Sequence, residues 1–242
     1  MSMRQLLGNG LDLTKIGTRV GVATPNTLLN NLYAAFHFDS GTISFPADFG
    51  SFTLTPSAST TVSDGKINKA VNKESTIRLA DSVAADFTFA GGIFTFSILL
   101  KFSSLPGAQD DVISKAGVST GYILRVTSAG TVSFSTGTGA GYNTVTWGAN
   151  ISAVQWYQII CGRDASNVYL QVNSESVLGT VASVVAGVFV SEGVIGLLMP
   201  KDIPGGTYQM DELLAWDGRF LNLTDRTALW NLGAMLAYPF DP

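Results

Sequence analysis

A chain of 242 residues that is 46% hydrophobic and only 13% charged, with 26 glycines, is long enough to bury a full-sized core and lies far from the composition of a disordered segment. Its formal charge of -4 and its lack of any Lys/Arg cluster leave no footprint for a phosphate backbone, which excludes nucleic acid as an expected partner. Cys161 and His37 are each the only residue of their kind, so one chain assembles neither a disulfide nor a thiolate zinc site.

Residues 1–30 lack the charged start, continuous apolar stretch and small-residue cleavage site of a secretory signal, so no signal peptide is expected and synthesis is for the cytoplasm. Single apolar residues spaced among Gly8, Gly10, Gly17 and Gly21 fit an arm that orders on a partner as well as an edge strand on the chain's own body. From Leu32 to Asp39 a strand is predicted, with His37 on the more polar face, opposite Phe36 and Phe38. No motif supplies the serine of a Ser-His-Asp site, so His37 reads as a structural or surface residue. The Ser-, Thr- and Pro-rich stretch from Ser40 to Ser63 reads as a long loop or loosely paired insertion, followed by an Asp64-Gly65 turn.

In FTFSILLKF, Phe94, Phe96, Ile98, Leu100 and Phe102 alternate with Thr95, Ser97, Leu99 and Lys101, which predicts a central strand with one buried face. A second sheet must cover that face. QDDV, with Asp110 and Asp111, reads as a loop, and strands are predicted over 121–128, 130–137, 156–163, 167–174 and 207–216. Gly137 to Gly141 forms a turn, and Cys161 reads as a small buried hydrophobe. Between Leu178 and Met199 the only charge is Glu192, yet four glycines and dense β-branched residues favour strands over membrane insertion. Asp211 and Glu212 are neighbours in a strand and point to opposite faces, so they form no acid and base pair, and Asp211 is expected to anchor a nearby loop. Thr224 to Thr227 caps a short helix that runs through ALWNL to Gly233.

Several runs together carry a family resemblance. STIRLADSVAADFTFAGGIFTFSILLKF, then GYILRVTSAGTVSFSTG, WYQIICGRDASNVYLQVNS and MDELLAWDGRFLNLTDRTALWNLG follow one another in the order of landmarks of laminin-G-like domains. The chain therefore resembles the concanavalin A-like lectin/glucanase superfamily over about residues 31–233, with Leu99, Gln158 and Ser174 departing from the usual residues. The resemblance implies an all-β, two-sheet antiparallel jelly-roll sandwich with one short C-terminal helix. Residues 1–30 are then an N-terminal arm and 234–242 a C-terminal tail.

Glucanase relatives place catalytic carboxylates two or three apart on one strand, and no E-x-D-x-x-E pattern occurs here, so no enzymatic activity and no cofactor are expected. Some relatives bind calcium through loop acids, which makes Asp39, Asp110, Asp111 and Asp211 weak candidates, too scattered for the six to eight oxygens a calcium ion takes. The leading expectation is a virion structural or adhesive protein, a bacteriophage capsid decoration or tail component. LWNLGAMLAYPF resembles the close of many phage-encoded members, and a charge-poor, glycine-rich surface suits assembly. Its contacts with other virion proteins, and with copies of itself as a homo-oligomer, are assigned to Leu6, Leu7, Leu11, Ile16, Met235, Leu236, Tyr238 and Phe240. The alternative is a carbohydrate-binding lectin module for cell-surface glycans, with Tyr122, Tyr142 and Trp147 as stacking residues, although Trp147 also fits the core.

Overall fold

A computed structural model describes residues 26–39, 44–57, 60–73, 79–81, 83–174, 182–193, 196–199 and 207–230. In chain order the elements are α1 (Asn26–Leu29), β1 (Leu32–Phe36), β2 (Phe45–Pro46), β3 (Thr53–Pro56), β4 (Thr61–Asp64), β5 (Lys69–Lys73), β6 (Leu79–Ala80), β7 (Phe94–Phe102), β8 (Gln109–Ala116) and β9 (Gly121–Thr127). They continue with β10 (Val132–Gly137), β11 (Tyr142–Thr146), β12 (Trp156–Arg163), β13 (Asn167–Ser174), β14 (Ala182–Val185), β15 (Leu198–Met199), β16 (Tyr208–Asp217) and α2 (Leu223–Trp230). The first sheet runs β14-β13-β12-β7-β16-β5-β4, with β1 also on β16; the second runs β11-β10-β9-β8-β15-β6-β3-β2. Among the described residues the chain is thus an all-β antiparallel sandwich, as its alternation and turns imply.

Phe94, Phe96, Ile98, Leu100 and Phe102 are each fully buried between the sheets. Phe94 and Phe96 meet Tyr122 of the second sheet at ring distances of 5.1 and 5.2 Å, and Phe89 stacks on Phe94 at 4.7 Å. The expectation that β7 has only one buried face is corrected: Thr95, Ser97 and Leu99 are buried as well. A second apolar layer lies over that outer face. Leu28 of α1, Leu221, and Ala228 and Leu229 of α2 pack with Ile160, Leu214 and Trp216, while Trp230 packs with Leu99 and Trp156. The Thr95 hydroxyl fits this layer because it donates to the Arg219 carbonyl at 2.9 Å and accepts from the Leu221 amide at 3.2 Å.

Both helices are fixed at their ends. Asn222, not Thr224, caps α2: its Oδ1 accepts from the Asp225 amide at 3.0 Å, and Asp225 Oδ2 accepts from the Asn222 amide at 3.2 Å, a reciprocal capping box. Arg219 then joins the helices, donating to Asp225 at 2.6 Å and to the carbonyls of Thr27 and Asn30. The α1 helix was not anticipated, and with Leu28 buried and its carbonyl accepting from Trp216 Nε1 at 2.7 Å, packing on the sandwich begins before residue 31.

Of the two forms expected for residues 40–63, a long loop or a loosely paired insertion, the second is found, and one further expectation changes. The stretch 40–63 contains β2, β3 and the start of β4, because Phe45 and Leu54 bury their side chains opposite each other in one pairing. Asp110 and Asp111 lie in β8, not in a loop. No helix among the described residues is long and apolar enough to cross a membrane. The partner-contact candidates Leu6, Leu7, Leu11, Ile16, Met235, Leu236, Tyr238 and Phe240 lie outside the described residues, as does Gly233.

Candidate functional site

Of the three aromatic candidates, the structure leaves one at the surface. Tyr122 is fully buried and its hydroxyl donates to the Phe87 carbonyl at 3.0 Å, so it offers no face to a ligand; as an inward position of β9 it completes the core. Trp147, just past β11, is half-buried against that core. Tyr142 is 37% exposed. Its hydroxyl lies 2.7 Å from the Gly117 carbonyl and 3.2 Å from the Thr120 carbonyl, which fixes the ring against the 117–120 turn. Burial raises the Tyr142 pKa, so this hydroxyl keeps its proton and stays a donor at neutral pH.

The chain around Tyr142 shows why the turn closes there. Gly121 has a φ of +72°, and a Cβ on it would run into the Lys115 carbonyl, so only glycine lets the turn return into β9. The Thr120 hydroxyl donates to Glu192 Oε2 at 2.7 Å, tying the turn to the segment 186–193 that crosses from the first sheet to the second. That segment is held by the Gly121 amide on the Val190 carbonyl at 2.8 Å and by the Val190 amide on the Gly137 carbonyl at 3.0 Å. Neither Glu192 nor Thr120 stood out in the sequence. The one available signal is that Glu192 is the lone charge between Leu178 and Met199.

The result is a corner whose own segments carry no charge, with the partly exposed Arg125, paired to Asp111, close enough for its charge to act on Tyr142. Gly117–Thr120, Thr138–Thr146 and Ala182–Val190 contain no Asp, Glu, Lys or Arg, while Val118, Val185 and Val188 are 94%, 80% and 77% exposed. Asn143 Nδ2 reaches the Val185 carbonyl at 3.4 Å, so β11 and the 185–188 segment are neighbours on the same corner. Beneath it Lys115 is buried and donates to the Ala84 carbonyl at 2.8 Å; burial lowers its pKa, and the charges of Glu192, Asp81 and Asp86 oppose that shift.

The acids weighed as calcium ligands are each engaged elsewhere. Asp211 Oδ2 accepts from the Lys66 and Ile67 amides, both at 2.9 Å, which is the loop-anchoring role expected of it. Asp39 accepts from the Lys69 amide at 2.9 Å, and Asp111 holds Arg125 at 2.6 and 3.3 Å. Asp110 is buried in β8. Among the described residues no three His, Cys, Asp or Glu side chains gather as a metal site. Burial pushes the Asp211 carboxyl up to about 7, against the two amides that favour its charged form. Burial also pushes the Cys161 thiol well up, so it is inert.

Strict alternation fails at Asp211-Glu212. Glu212 has a φ of +46° in a bulge of β16, where the strand's neighbour changes from β5 to β1, and both side chains are buried. They still serve different partners: Glu212 Oε2 lies 3.6 Å from His37 Nε2, and His37 Nδ1 lies 3.2 Å from Asp48. His37 borders a cavity of about 60 Å³ with Phe38, Asp39, Phe45, Pro46 and Asp48. That space is well below the several hundred cubic ångströms of a ligand pocket.

A family model for the concanavalin A-like lectin/glucanases superfamily matches residues 73–193, half of the chain. No curated protein sequence matches the chain. Among solved structures, it is similar to the binding domain of botulinum neurotoxin DC in complex with SialylT, with a TM-score of 0.65, 8% identity, and 84% of this chain and 52% of that chain covered. The same domain in complex with rat synaptotagmin II gives a TM-score of 0.65 and 8% identity over 84% and 52% of the two chains. A structure of botulinum neurotoxin type C, which depends on interaction with two ganglioside molecules to enter cells, gives 0.64 and 7% identity over 84% and 51%. The chain spans about half the length of these structures, and at such identity the likeness is one of fold.

Proposed function

The chain belongs to the concanavalin A-like lectin/glucanases superfamily, and from that premise we propose that it is a non-enzymatic binding module that takes carbohydrate at the corner built around Tyr142. The observation that carries this reading is the half-exposed Tyr142 ring, fixed by its hydroxyl to two carbonyls of the 117–120 turn and set among three uncharged segments, with the Arg125–Asp111 pair beside them. A rigid aromatic face stacks on the apolar face of a sugar at little entropic cost, and the carbonyls and hydroxyls of such a turn suit sugar hydroxyls. Ganglioside and SialylT binding by neurotoxin domains of similar fold favours the same ligand class. The absence of enzymatic activity is supported by the separate duties of Asp211 and Glu212, one on loop amides and one beside His37, which leave no facing carboxylate pair. Glycan-array binding by the isolated protein, lost in Tyr142→Ala and retained in Trp147→Phe, is the expected result; no glycan binding at all would sink the reading.

A second reading sets this module in a virus particle, as an adhesive or structural component of a bacteriophage capsid or tail. The resemblance of LWNLGAMLAYPF to the close of phage-encoded relatives favours it. In that setting the terminal apolar residues, Leu6 to Ile16 and Met235 to Phe240, contact neighbouring virion proteins. Mass spectrometry of purified virions tests it, and absence of the chain from every such particle would reject it.

A further inference from the structure

Among the described residues no strand pairs with the outer edge of β11, and we propose that a second copy of this chain occupies it, the two copies joining antiparallel along β11 into one continuous sheet. The inference is independent of the carbohydrate reading. It starts from hydrogen-bond parity. The Trp147 amide donates to the Val132 carbonyl and the Thr138 amide to the Gly141 carbonyl, and in an antiparallel ladder such pairs recur at every second residue. Asn143 and Val145 therefore turn their peptide groups towards β10. Tyr142, Thr144 and Thr146, opposite Gly137, Ser135 and Ser133, turn theirs away from it, along the outer edge of the second sheet.

The strand edges of the two sheets differ in how they are protected. The outer side of β1 is met by residues 48 and 49, where Ala35 exchanges main-chain hydrogen bonds with Asp48 and Phe49. β2 is two residues long and ends in Pro46. β4 ends in Asp64, bonded to Lys69 at 2.6 Å. On β14 the outward Val185 carbonyl accepts from Asn143. Short length, proline and charge are the devices that keep edge strands from pairing. β11 has none of them: YNTVT is five residues long, uncharged and free of proline, with Thr144 and Thr146 exposed.

The strand is also complementary to itself. About a two-fold axis at Thr144, Thr144 faces Thr144 of the partner subunit and Tyr142 faces Thr146 of the partner subunit. An aromatic residue opposite a β-branched one is a favoured cross-strand pair, and no like charges meet. This register keeps the outward peptide groups of both strands in hydrogen-bonding phase and makes about six main-chain hydrogen bonds. Both Tyr142 rings stay on one face of the joined sheet, and strand geometry sets them roughly 14 Å apart along the strand direction.

Sedimentation equilibrium of the full chain over a dilution series tests the proposal. The expected result is a reversible species of twice the 25.5 kDa chain mass. Thr144→Lys places like charges opposite each other and should raise the dissociation constant about tenfold or more. Thr144→Pro removes an outward N–H without touching the β10 ladder and should do the same. Thr61→Lys, on the exposed edge of β4, should leave the dimer intact. A monomer at every concentration, a dimer that survives both Thr144 variants, or equal dissociation by Thr61→Lys would each overturn the proposal. If Thr144→Pro lowers the melting temperature, the comparison rests on Thr144→Lys, which replaces an exposed side chain and gives up only the hydroxyl contact with Ser135, as Thr61→Lys gives up its contact with Asn72. Glycan binding measured on the same samples keeps the two readings apart, since a monomer that still binds glycan removes only the dimer.

Discussion

On the first sheet, α1, α2 and Leu221 lay an apolar layer over Ile160, Leu214 and Trp216, so that β12 and most of β16 are buried on both faces. On the second sheet, the positions of β9, β10 and β11 that alternate with the core are Gly121, Ile123, Arg125, Thr127, Ser133, Ser135, Gly137, Tyr142, Thr144 and Thr146. The same strand geometry thus gives a double-sided slab in one sheet and a hydroxyl-lined face with an uncharged corner in the other. The packed sheet buries the extra apolar area, and the burial of Thr95 and Ser97 shows that small polar side chains enter such a layer when partnered. The other sheet is left with the exposed aromatic and the unprotected edge, which is where binding is proposed.

The largest expected effects test whether the outer layer matters as the core does. Phe96→Ala should cost about 3 to 5 kcal/mol through lost burial and the cavity left behind, and Leu229→Ala, in the layer over the first sheet, about 2 to 5 kcal/mol. Denaturant melts measure both. A near-neutral Leu229→Ala would mean that α2 decorates the sheet without stabilising it, and the contrast between the two faces would collapse.

The pH dependence of the first sheet follows from Asp211 at the junction of β5 and β1 on β16. Burial holds its folded-state pKa near 7, above the ordinary carboxylate value of 3.8, so the folded protein binds this proton more tightly than the unfolded chain does. That contribution is fully present below pH 4 and is lost as pH rises towards 7. Asp211→Asn carries no charge and keeps a carbonyl for the Lys66 and Ile67 amides. It should remove about 2 to 4 kcal/mol of the stability difference between pH 4 and pH 8. Thermal melts at the two pH values should then nearly coincide for the variant; an unchanged pH difference would show that Asp211 stays ionised throughout.

Thr95→Val keeps the shape of the side chain but strips the Leu221 amide of its acceptor and the Arg219 carbonyl of its donor, for about 1 to 3 kcal/mol. The same substitution at exposed Thr146 should change stability by less than about 0.5 kcal/mol. Chevron or equilibrium melts of the pair give the outer-face contrast directly, and equal effects would refute it.

How far the sequence carried these features depends on the range of the interaction. β7, β12 and β13 were legible to the residue because alternation and flanking turns are local signals. The second apolar layer was not, since Thr95, Ser97 and Lys101 look like a wet face until Leu221 and α2, more than a hundred residues later, cover it. The bulge at Glu212 was hidden for a similar reason: it arises where two different strands, β1 and β5, succeed each other on β16. Tyr142 was legible as an aromatic in a turn-rich stretch, but Tyr122 looked equivalent, and only the phase of β9 against the first sheet separates core from surface. The loop role of Asp211 was legible because alternation reads its strand neighbour Glu212 onto the opposite face, and a carboxylate without a facing acid commonly accepts backbone amides.

The smallest expected effect is the most informative about the open corner. Tyr142→Phe retains the ring and removes the hydroxyl that holds the Gly117 and Thr120 carbonyls, so it should lower stability by only about 1 kcal/mol. If binding depends on a ring fixed against the turn, affinity should fall by more than this change in stability implies, because the freed ring and turn must be ordered again when the ligand arrives. Tyr142→Ala, which removes the ring itself, should abolish binding. Titration of the two variants with a glycan identified on the array separates the contributions of stacking and fixing. Equal affinity of Tyr142→Phe and the parent protein would show that stacking suffices and that the two carbonyl contacts serve the turn alone.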